Sequence, residues 1–210
     1  MLAASAICAL LYGVFYCHSA PSILRVVLKV GATALLTLWA YWSGAPLLIV
    51  LALGFSTLGD GFLGASEERF LLPGMAAFFI AHAAYIPLFW GHPSEAPGML
   101  VLATQIVITF GAAGFLRSLV PWVEPPMRIP VMAYTVIILV MVNAALRLEP
   151  SLWLAALGAI SFAASDTILS LELFRLKQDA RIRRLTSPAI WFLYFGGQAA
   201  IAWAFIQLVA

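Results

Sequence analysis

Eight long apolar segments follow one another along the chain, and they constrain the fold more than any other feature. A membrane-crossing helix needs about 20 mostly apolar residues, and its backbone must be hydrogen-bonded internally. Only 10% of the 210 residues are charged, too few to cover a water-soluble domain. We therefore predict an all-α bundle of eight transmembrane helices forming a single domain over residues 1–210. The segments lie at about residues 2–18, 23–42, 45–63, 70–90, 98–117, 129–147, 152–172 and 188–209.

The basic residues indicate how such a bundle is oriented. The connections after the first, third, fifth and seventh segments carry nine Lys and Arg residues, and the opposite side carries Arg147. The positive-inside rule predicts a cytoplasmic location for those connections and places both termini on the non-cytoplasmic side. The first segment lacks the basic start of a signal peptide, so we expect it to be a helix of the bundle. The basic residues form no groove of the kind that binds nucleic acid.

Three ionisable side chains lie well inside the apolar segments: Lys29, Asp60 and Asp166. At about 1.5 Å per residue, the two aspartates lie roughly 21–23 Å from the starts of their segments, nearly level with Lys29. Each would cost several kcal/mol if it faced lipid, so each is expected to face the bundle interior. One interpretation is an ion pair that only ties helices together; the other is a functional site.

Helical spacing brings further polar residues toward this level. Ser56 shares a face with Asp60, and Tyr194 shares one with Gln198. Thr33 and Thr37 are expected to bond their own backbone. Gln105 and Asn143 fit interhelical contacts and a site equally well. The candidate supporting residues are Lys29, Ser56, His82, Tyr85, Tyr134, Ser165, Tyr194 and Gln198.

The three histidines lie at three different heights in the predicted bundle. His18 is near the end of the first segment, His82 is mid-membrane, and His92 is near the outer surface. This order is incompatible with a three-histidine zinc site, and two aspartates alone would bind a hard cation with too few ligands. We therefore predict no metal and no cofactor.

The sequence motifs around the two aspartates are Phe55-Ser-Thr-Leu-Gly-Asp60-Gly-Phe-Leu63 and Ser161-Phe-Ala-Ala-Ser-Asp166-Thr-Ile-Leu169. Together with the other motif blocks, they resemble the YhhN family, the lysoplasmalogenase family of eight-span membrane proteins. The resemblance runs from about the second segment to the C-terminus. The other blocks are Lys29, Phe70-Leu-Leu-Pro-Gly74 followed by Phe78, His82 and Tyr85, Pro130-Val-Met-Ala-Tyr134, and Tyr194 with Gln198.

The resemblance implies hydrolysis of the vinyl ether bond of a lysoplasmalogen, with a membrane lysophospholipid and water as the reacting partners. It assigns catalysis to Asp60 and Asp166 and supporting roles to Lys29, His82, Tyr85, Tyr134, Tyr194 and Gln198. Vinyl ether hydrolysis needs an acid that protonates a vinyl carbon and a group that stabilises the resulting oxocarbenium-like cation. Two paired carboxyl groups can divide these roles. We expect the aspartate without Lys29 as its neighbour to be the acid. The expected location is the cell (inner) membrane, with the site toward the cytoplasmic leaflet.

Two other functions fit the same residues. A proton-coupled transporter also uses intramembrane carboxylates, and a small-Asp-x-x-Leu word occurs at both Asp60 and Asp166, which hints at a repeat. In a non-catalytic lipid-binding or scaffold membrane protein, the polar layer would only join helices through hydrogen bonds and ion pairs.

Overall fold

The computed structural model describes residues 1–64, 68–95, 98–177 and 179–209, and these form helices and no β-sheet. By length and composition, seven helices among these residues can cross a membrane, and Leu2–Tyr16 is a shorter apolar helix. The prediction of an all-α membrane bundle is therefore confirmed. The helices are α1 Leu2–Leu11, which continues as the π-helical turn Tyr12–Tyr16, α2 Ile23–Trp42, α3 Leu47–Gly64, α4 Leu71–Trp90, α5 Met99–Leu119, α6 Pro125–Ala145, α7 Trp153–Phe174 and α8 Arg183–Val209.

Two helices begin earlier than expected. α6 starts at Pro125 rather than near residue 129, because prolines fit the first helical turn, where the backbone N–H has no acceptor within the helix. α8 starts at Arg183 rather than near residue 188. The Arg183 guanidinium is 3.3 Å from the Glu172 carboxylate, which also accepts hydrogen bonds from Thr186 and Ser187. This pairing stabilises charged and polar residues in the first turn of α8.

The shorter α1 is held in the bundle by two buried hydrogen bonds. Ser5 Oγ donates to the Ala32 carbonyl at 2.6 Å, and Trp191 Nε1 donates to the Ala9 carbonyl at 2.8 Å. These contacts join α1 to α2 and to α8. The expected span 2–18 is thus too long by two residues, and its last five helical residues are π-helical.

The closest helix contact lies between α7 and α8. A Cβ on Gly158 would lie 2.5 Å from the Gly197 carbonyl oxygen, and a Cβ on Gly197 would lie 2.6 Å from that of Gly158. Small residues permit this approach, which drives helix association where lipid removes the hydrophobic effect. Two turns away, Ser165 Oγ donates to the Ile190 carbonyl at 2.8 Å. The α7–α8 pair therefore fixes the height of Asp166 relative to Tyr194.

In contrast, α5 is peripheral. Its single buried residue is Leu119 at its last turn, and it packs mainly against α6. The Gln105 amide joins the two helices by donating to the backbone carbonyl of Asn143, whereas the Asn143 amide donates to the Leu139 carbonyl of its own helix.

The connections that carry most of the basic residues meet at one end of the bundle, here called the basic face. Arg25 Nη1 donates to the Gly64 carbonyl, His18 Nε2 donates to the Arg183 carbonyl, and the Arg175 guanidinium lies over the Trp122 ring. At the other end, the turns after α4 and α6 pair through Ser94 N to the Arg147 carbonyl. The connections that the basic residues predict to lie on one side of the membrane therefore lie at the same end of the bundle.

We expect Gly197→Ala to lower the melting temperature in detergent, because its Cβ meets the backbone of α7. Overpacking of this kind costs about 1–3 kcal/mol. Gly196→Ala is the matched control, since a Cβ there meets no atom within 4 Å and alanine favours the helix. Equal melting temperatures for the two variants would contradict the close contact.

Candidate active site

Asp60 is a buried carboxylate with two partners from other helices. It lies on α3 and is 1% exposed. Its Oδ1 is 3.2 Å from Lys29 Nζ on α2, and its Oδ2 accepts a 2.7 Å hydrogen bond from the Tyr194 hydroxyl on α8. A neighbouring ammonium group and a donated hydrogen bond both favour the ionised form of a carboxyl group, whereas burial opposes it. The contacts of Asp60 are thus those that a buried carboxylate needs.

Asp166 on α7 has a different environment. Its Oδ2 accepts a 3.1 Å hydrogen bond from the Tyr134 hydroxyl on α6 and lies 3.4 Å from His82 Nε2 on α4. The contact with His82 lacks the alignment of a hydrogen bond. No described residue donates a hydrogen bond to Asp166 Oδ1, and its ion-pair partner among the described residues is a histidine, whose charge depends on a proton.

The tautomer of His82 follows from its other nitrogen. Nδ1 lies 2.6 Å from the Phe78 carbonyl oxygen one turn earlier on α4. A carbonyl can only accept, so Nδ1 carries the hydrogen, and Nε2 is the basic nitrogen of a neutral ring. That nitrogen faces Asp166. A single proton between Asp166 and His82 Nε2 therefore gives either a neutral acid beside a neutral imidazole or a carboxylate beside an imidazolium.

A second polar layer lies one helical turn deeper. Gln198 Oε1 accepts hydrogen bonds from the Ser56 hydroxyl at 3.1 Å and the Tyr85 hydroxyl at 3.0 Å. These two donors fix the orientation of the amide, and its Nε2 is left buried without a partner among the described residues. Ser56 is one turn from Asp60, and Gln198 is one turn from Tyr194. This layer therefore links the helices that carry Asp60 and Tyr194, one turn away from those two residues.

Buried polar atoms without a hydrogen bond are concentrated in these layers. Within the described part of the chain there are three: Asp60 Oδ1 and His82 Nε2, which have ion-pair contacts only, and Gln198 Nε2. Buried polar groups are nearly always paired with protein or water, so such groups mark places that a ligand or water completes. All three belong to the residues singled out from the sequence.

Two phenylalanines form a wall that both aspartate centres share. The Phe162 ring is 4.5 Å from that of His82 and 5.2 Å from that of Tyr194. The Phe78 ring is 5.6 Å from the Tyr194 ring and fills the space beside Gly59, where a Cβ would meet it at 2.6 Å. The partner of each aspartate thus rests against this wall.

Two cavities adjoin along a shared apolar wall in which Asp166 is the one polar residue among those that line both. The polar chamber, of about 970 Å³, runs from residues of the basic face, such as His18 and Arg25, to Lys29, Asp60 and Asp166. The apolar cavity, of about 420 Å³, lies between α4, α5, α6 and α7 and is lined by Asp166, Tyr134 and mostly hydrocarbon side chains. Asp60 faces the polar chamber alone, whereas Asp166 lines both cavities. The two carboxyls therefore differ in surroundings as well as in partners.

The residues expected at one depth are only partly in contact. Lys29 pairs with Asp60, while Asp166 is paired with His82, which the sequence had placed somewhat deeper. Ser165 lines the polar chamber, but its hydroxyl joins α7 to α8. Thr33 and Thr37 donate to their own helix backbone, as expected.

Sequence reasoning missed the mouth of the polar chamber. Glu172 is 5% exposed and is paired with Arg183, and both line the chamber near the basic face. Their positions near segment ends made them look like boundary residues. The signal that could have found them is a glutamate six residues after Asp166, nearly two helical turns along α7.

The described residues contain no group of three His, Cys, Asp or Glu side chains placed to hold a metal ion. The two cysteines, Cys8 and Cys17, are both free thiols.

Comparison with known proteins identifies the family. A model of the YhhN family matches residues 24–205, which include every candidate site residue. The chain belongs to the YhhN family. This confirms the resemblance inferred from the motif blocks, over nearly all of α2 to α8.

Curated YhhN-like relatives share about a third of the aligned residues. Human lysoplasmalogenase TMEM86B is 34% identical over 131 residues, which are 62% of this chain and 53% of that protein. The rat TMEM86B is 35% identical over 141 residues, 66% of this chain and 56% of that protein. A lysoplasmalogenase from Mycobacterium bovis is 30% identical over 161 residues, 75% of this chain and 59% of that protein. The chain thus spans just over half of the length of these relatives. No solved structure matches it.

The Lys29–Asp60 pair yields a test that does not depend on activity. We expect Lys29→Met to lower the unfolding free energy in detergent by as much as about 3 kcal/mol, because it leaves a buried carboxylate unpaired. Adding Asp60→Asn is expected to restore much of that loss, since neither charge then remains. Lys177→Met, at an exposed loop position, is the control and should change little. Additive losses in the double variant would contradict direct pairing.

Proposed function

We propose that this YhhN protein hydrolyses the vinyl ether bond of lysoplasmalogens, releasing a fatty aldehyde and a glycerophospho-base. The names of the relatives support the reaction. The observation that carries the proposal for this chain is the position of Asp166, where a polar chamber meets an apolar cavity. A lysoplasmalogen has the same division at its vinyl ether, with a polar glycerophosphate on one side and a hydrocarbon chain on the other. Its scissile bond would lie beside Asp166.

The reaction starts with proton transfer to carbon. Protonation of the vinyl carbon farther from the oxygen leaves a cation shared by the oxygen and the nearer carbon. Water adds to that carbon and loses a proton, and the resulting hemiacetal collapses to an aldehyde and the glycerol hydroxyl. The protein must supply one proton, stabilise one cation and admit one water molecule, and the proton is returned when water adds.

In this proposal, Asp166 with His82 is the acid. Among the described residues, no lysine or arginine forms an ion pair with Asp166, and Asp166 can hold a proton that His82 Nε2 accepts or returns. The bond from His82 Nδ1 to the Phe78 carbonyl keeps Nε2 directed at Asp166 throughout. Tyr134 holds the carboxyl at the edge of the apolar cavity, where the vinyl carbon would lie. General acid catalysis of this kind contributes about 10²–10⁴-fold.

Asp60 takes the complementary role. Its paired carboxylate supplies a fixed negative charge in a chamber that admits water, which suits stabilisation of the cation and orientation of the attacking water. The Phe78 and Phe162 wall adds aromatic rings, whose faces attract cations. Lys29 and Tyr194 hold Asp60 in place, and the Ser56, Tyr85 and Gln198 layer fixes the helices that carry them.

We expect Asp166→Asn and Asp60→Asn each to reduce kcat for a vinyl-ether lysolipid by at least about a hundredfold, because asparagine neither donates an acidic proton nor carries charge. Aldehyde release by purified protein in detergent is the measurement. Asp179→Asn is the matched control, an exposed aspartate that lines neither cavity.

An Asn variant with the wild-type rate would remove that residue from the mechanism. Proton-linked uptake into sealed vesicles without aldehyde release would instead favour the transporter interpretation of the same carboxyls.

We further propose that α1 to α8 all cross the membrane, with both termini on the non-cytoplasmic side and the basic face in the cytoplasm. The charge pattern supports this orientation, because nine Lys and Arg residues lie in the connections of the basic face. The mouth of the polar chamber then opens toward the cytoplasm, and a lysolipid in the cytoplasmic leaflet of the cell (inner) membrane has its head group at the mouth.

Cysteine labelling tests the orientation. In a background in which Cys8 and Cys17 are replaced by serine, we expect a membrane-impermeant maleimide to label Glu95→Cys, but not Lys177→Cys, in intact cells. Both positions are exposed and lie at opposite ends of the bundle. Both should be labelled once the membrane is permeabilised. The reverse pattern in intact cells would invert the topology.

A further inference from the structure

The apolar cavity continues well beyond Asp166 into the bundle. It follows α7 back from Asp166 to Ile160 and α6 onward from Tyr134 to Val142. These are six and eight residues, or about 9 and 12 Å at the rise of an α-helix. The lining along this depth is hydrocarbon, apart from Tyr134, Thr135 and Thr167 near the carboxyl. This part of the cavity can hold part of a hydrocarbon chain and has few groups that would bind a polar ligand.

The outer wall of this cavity belongs to α5. Four of its residues line the cavity on one face: Ile108, Gly111, Ala112 and Phe115. Two of the four are the smallest residues available, and they lie between the two larger ones. Gly111 lines the cavity, and a Cβ there would meet no atom within 4 Å, so a larger side chain has space at this position.

The wall is also the part of the bundle least tied to the core. Helix α5 has a single buried residue, at its last turn, and packs mainly against α6. No group on α5 contacts Asp60, Lys29 or His82 among the described hydrogen bonds and ion pairs. A change in the α5 wall can therefore alter the volume of the apolar cavity without moving the polar layers.

We propose that the α5 wall sets the length of hydrocarbon chain that the protein accepts, with Gly111 as the position that leaves room for the chain beyond the vinyl ether. This rests on the proposed function, since it takes the chain to be the alkenyl tail whose first carbons lie at Asp166. The occupant follows from the lining of the cavity: a carboxyl borders it beside the polar chamber, and the part beyond that carboxyl toward Ile160 and Val142 is lined by hydrocarbon. A larger side chain at Gly111 shortens the space available to the tail.

The test compares substrates that differ only in alkenyl chain length. Gly111→Leu is expected to raise the ratio of kcat/KM for the shortest substrate to that for the longest by at least about tenfold, because a lost methylene subsite costs roughly 10–200-fold. Gly114→Leu is the matched control. It adds the same side chain on the same helix, also with no atom within 4 Å, at a position that does not line the cavity. Its ratio should equal that of the wild type.

A binding measurement separates this inference from the proposed reaction. Saturated alkyl-ether lysolipids of the same lengths have no bond to cleave, and their stabilisation of the protein against heat reports binding alone. If the wild type cleaves no vinyl ether but Gly111→Leu shifts the length preference in binding, the proposed function fails and the tail site stands. If Gly111→Leu keeps the wild-type length preference in both measurements, or matches Gly114→Leu, the inference is overturned.

Discussion

The cost of placing carboxyl groups inside an apolar bundle organises this protein. A carboxylate in lipid must be paired or neutralised, and the two aspartates meet this requirement in different ways. Asp60 is paired with the Lys29 side chain and the Tyr194 hydroxyl. Asp166 is paired with the His82 imidazole and the Tyr134 hydroxyl. In the proposed mechanism the first centre keeps a charge and the second exchanges a proton, so two identical side chains acquire different chemistry from their neighbours.

This difference depends on contacts between helices that are distant in sequence. The site residues come from six of the eight helices, and each aspartate is paired only with residues on other helices. The glycine contact between α7 and α8 sets the height of Asp166 against Tyr194, and the Gln198 amide ties α3, α4 and α8 together one turn deeper. The polar layers thus serve as interhelical links and as a site at once. The same hydrogen bonds are consistent with a structural role in joining helices and with a role in the proposed catalysis.

Much of the fold could be predicted, because a bilayer fixes helix length and apolar composition reveals it. The predicted segment 23–42 coincides with α2. The predicted starts of α6 and α8 were too late, because prolines in α6 and paired charges in α8 continue the helix where the sequence appeared to break it. Depth along each helix identified Lys29, Asp60 and Asp166. Residue spacing along the sequence does not give the rotation of each helix about its axis or which helices are adjacent. The sequence therefore left open which aspartate Lys29 contacts. It also could not show that Ser165 joins helices through its hydroxyl, or that Glu172 is buried.

The placement of Asp166 between two unlike cavities resolves a conflict in the proposed chemistry. Protonation of a vinyl ether requires the hydrocarbon side of the bond to lie beside an acid, whereas capture of the cation requires water. A single wet pocket would hydrate the acid and the tail, and a single dry pocket would exclude the nucleophile. With Asp166 on the wall common to both cavities and Asp60 facing only the polar chamber, the proton and the water of the proposed mechanism reach the bond from different sides. In that mechanism the same division also orients the substrate before any reaction begins.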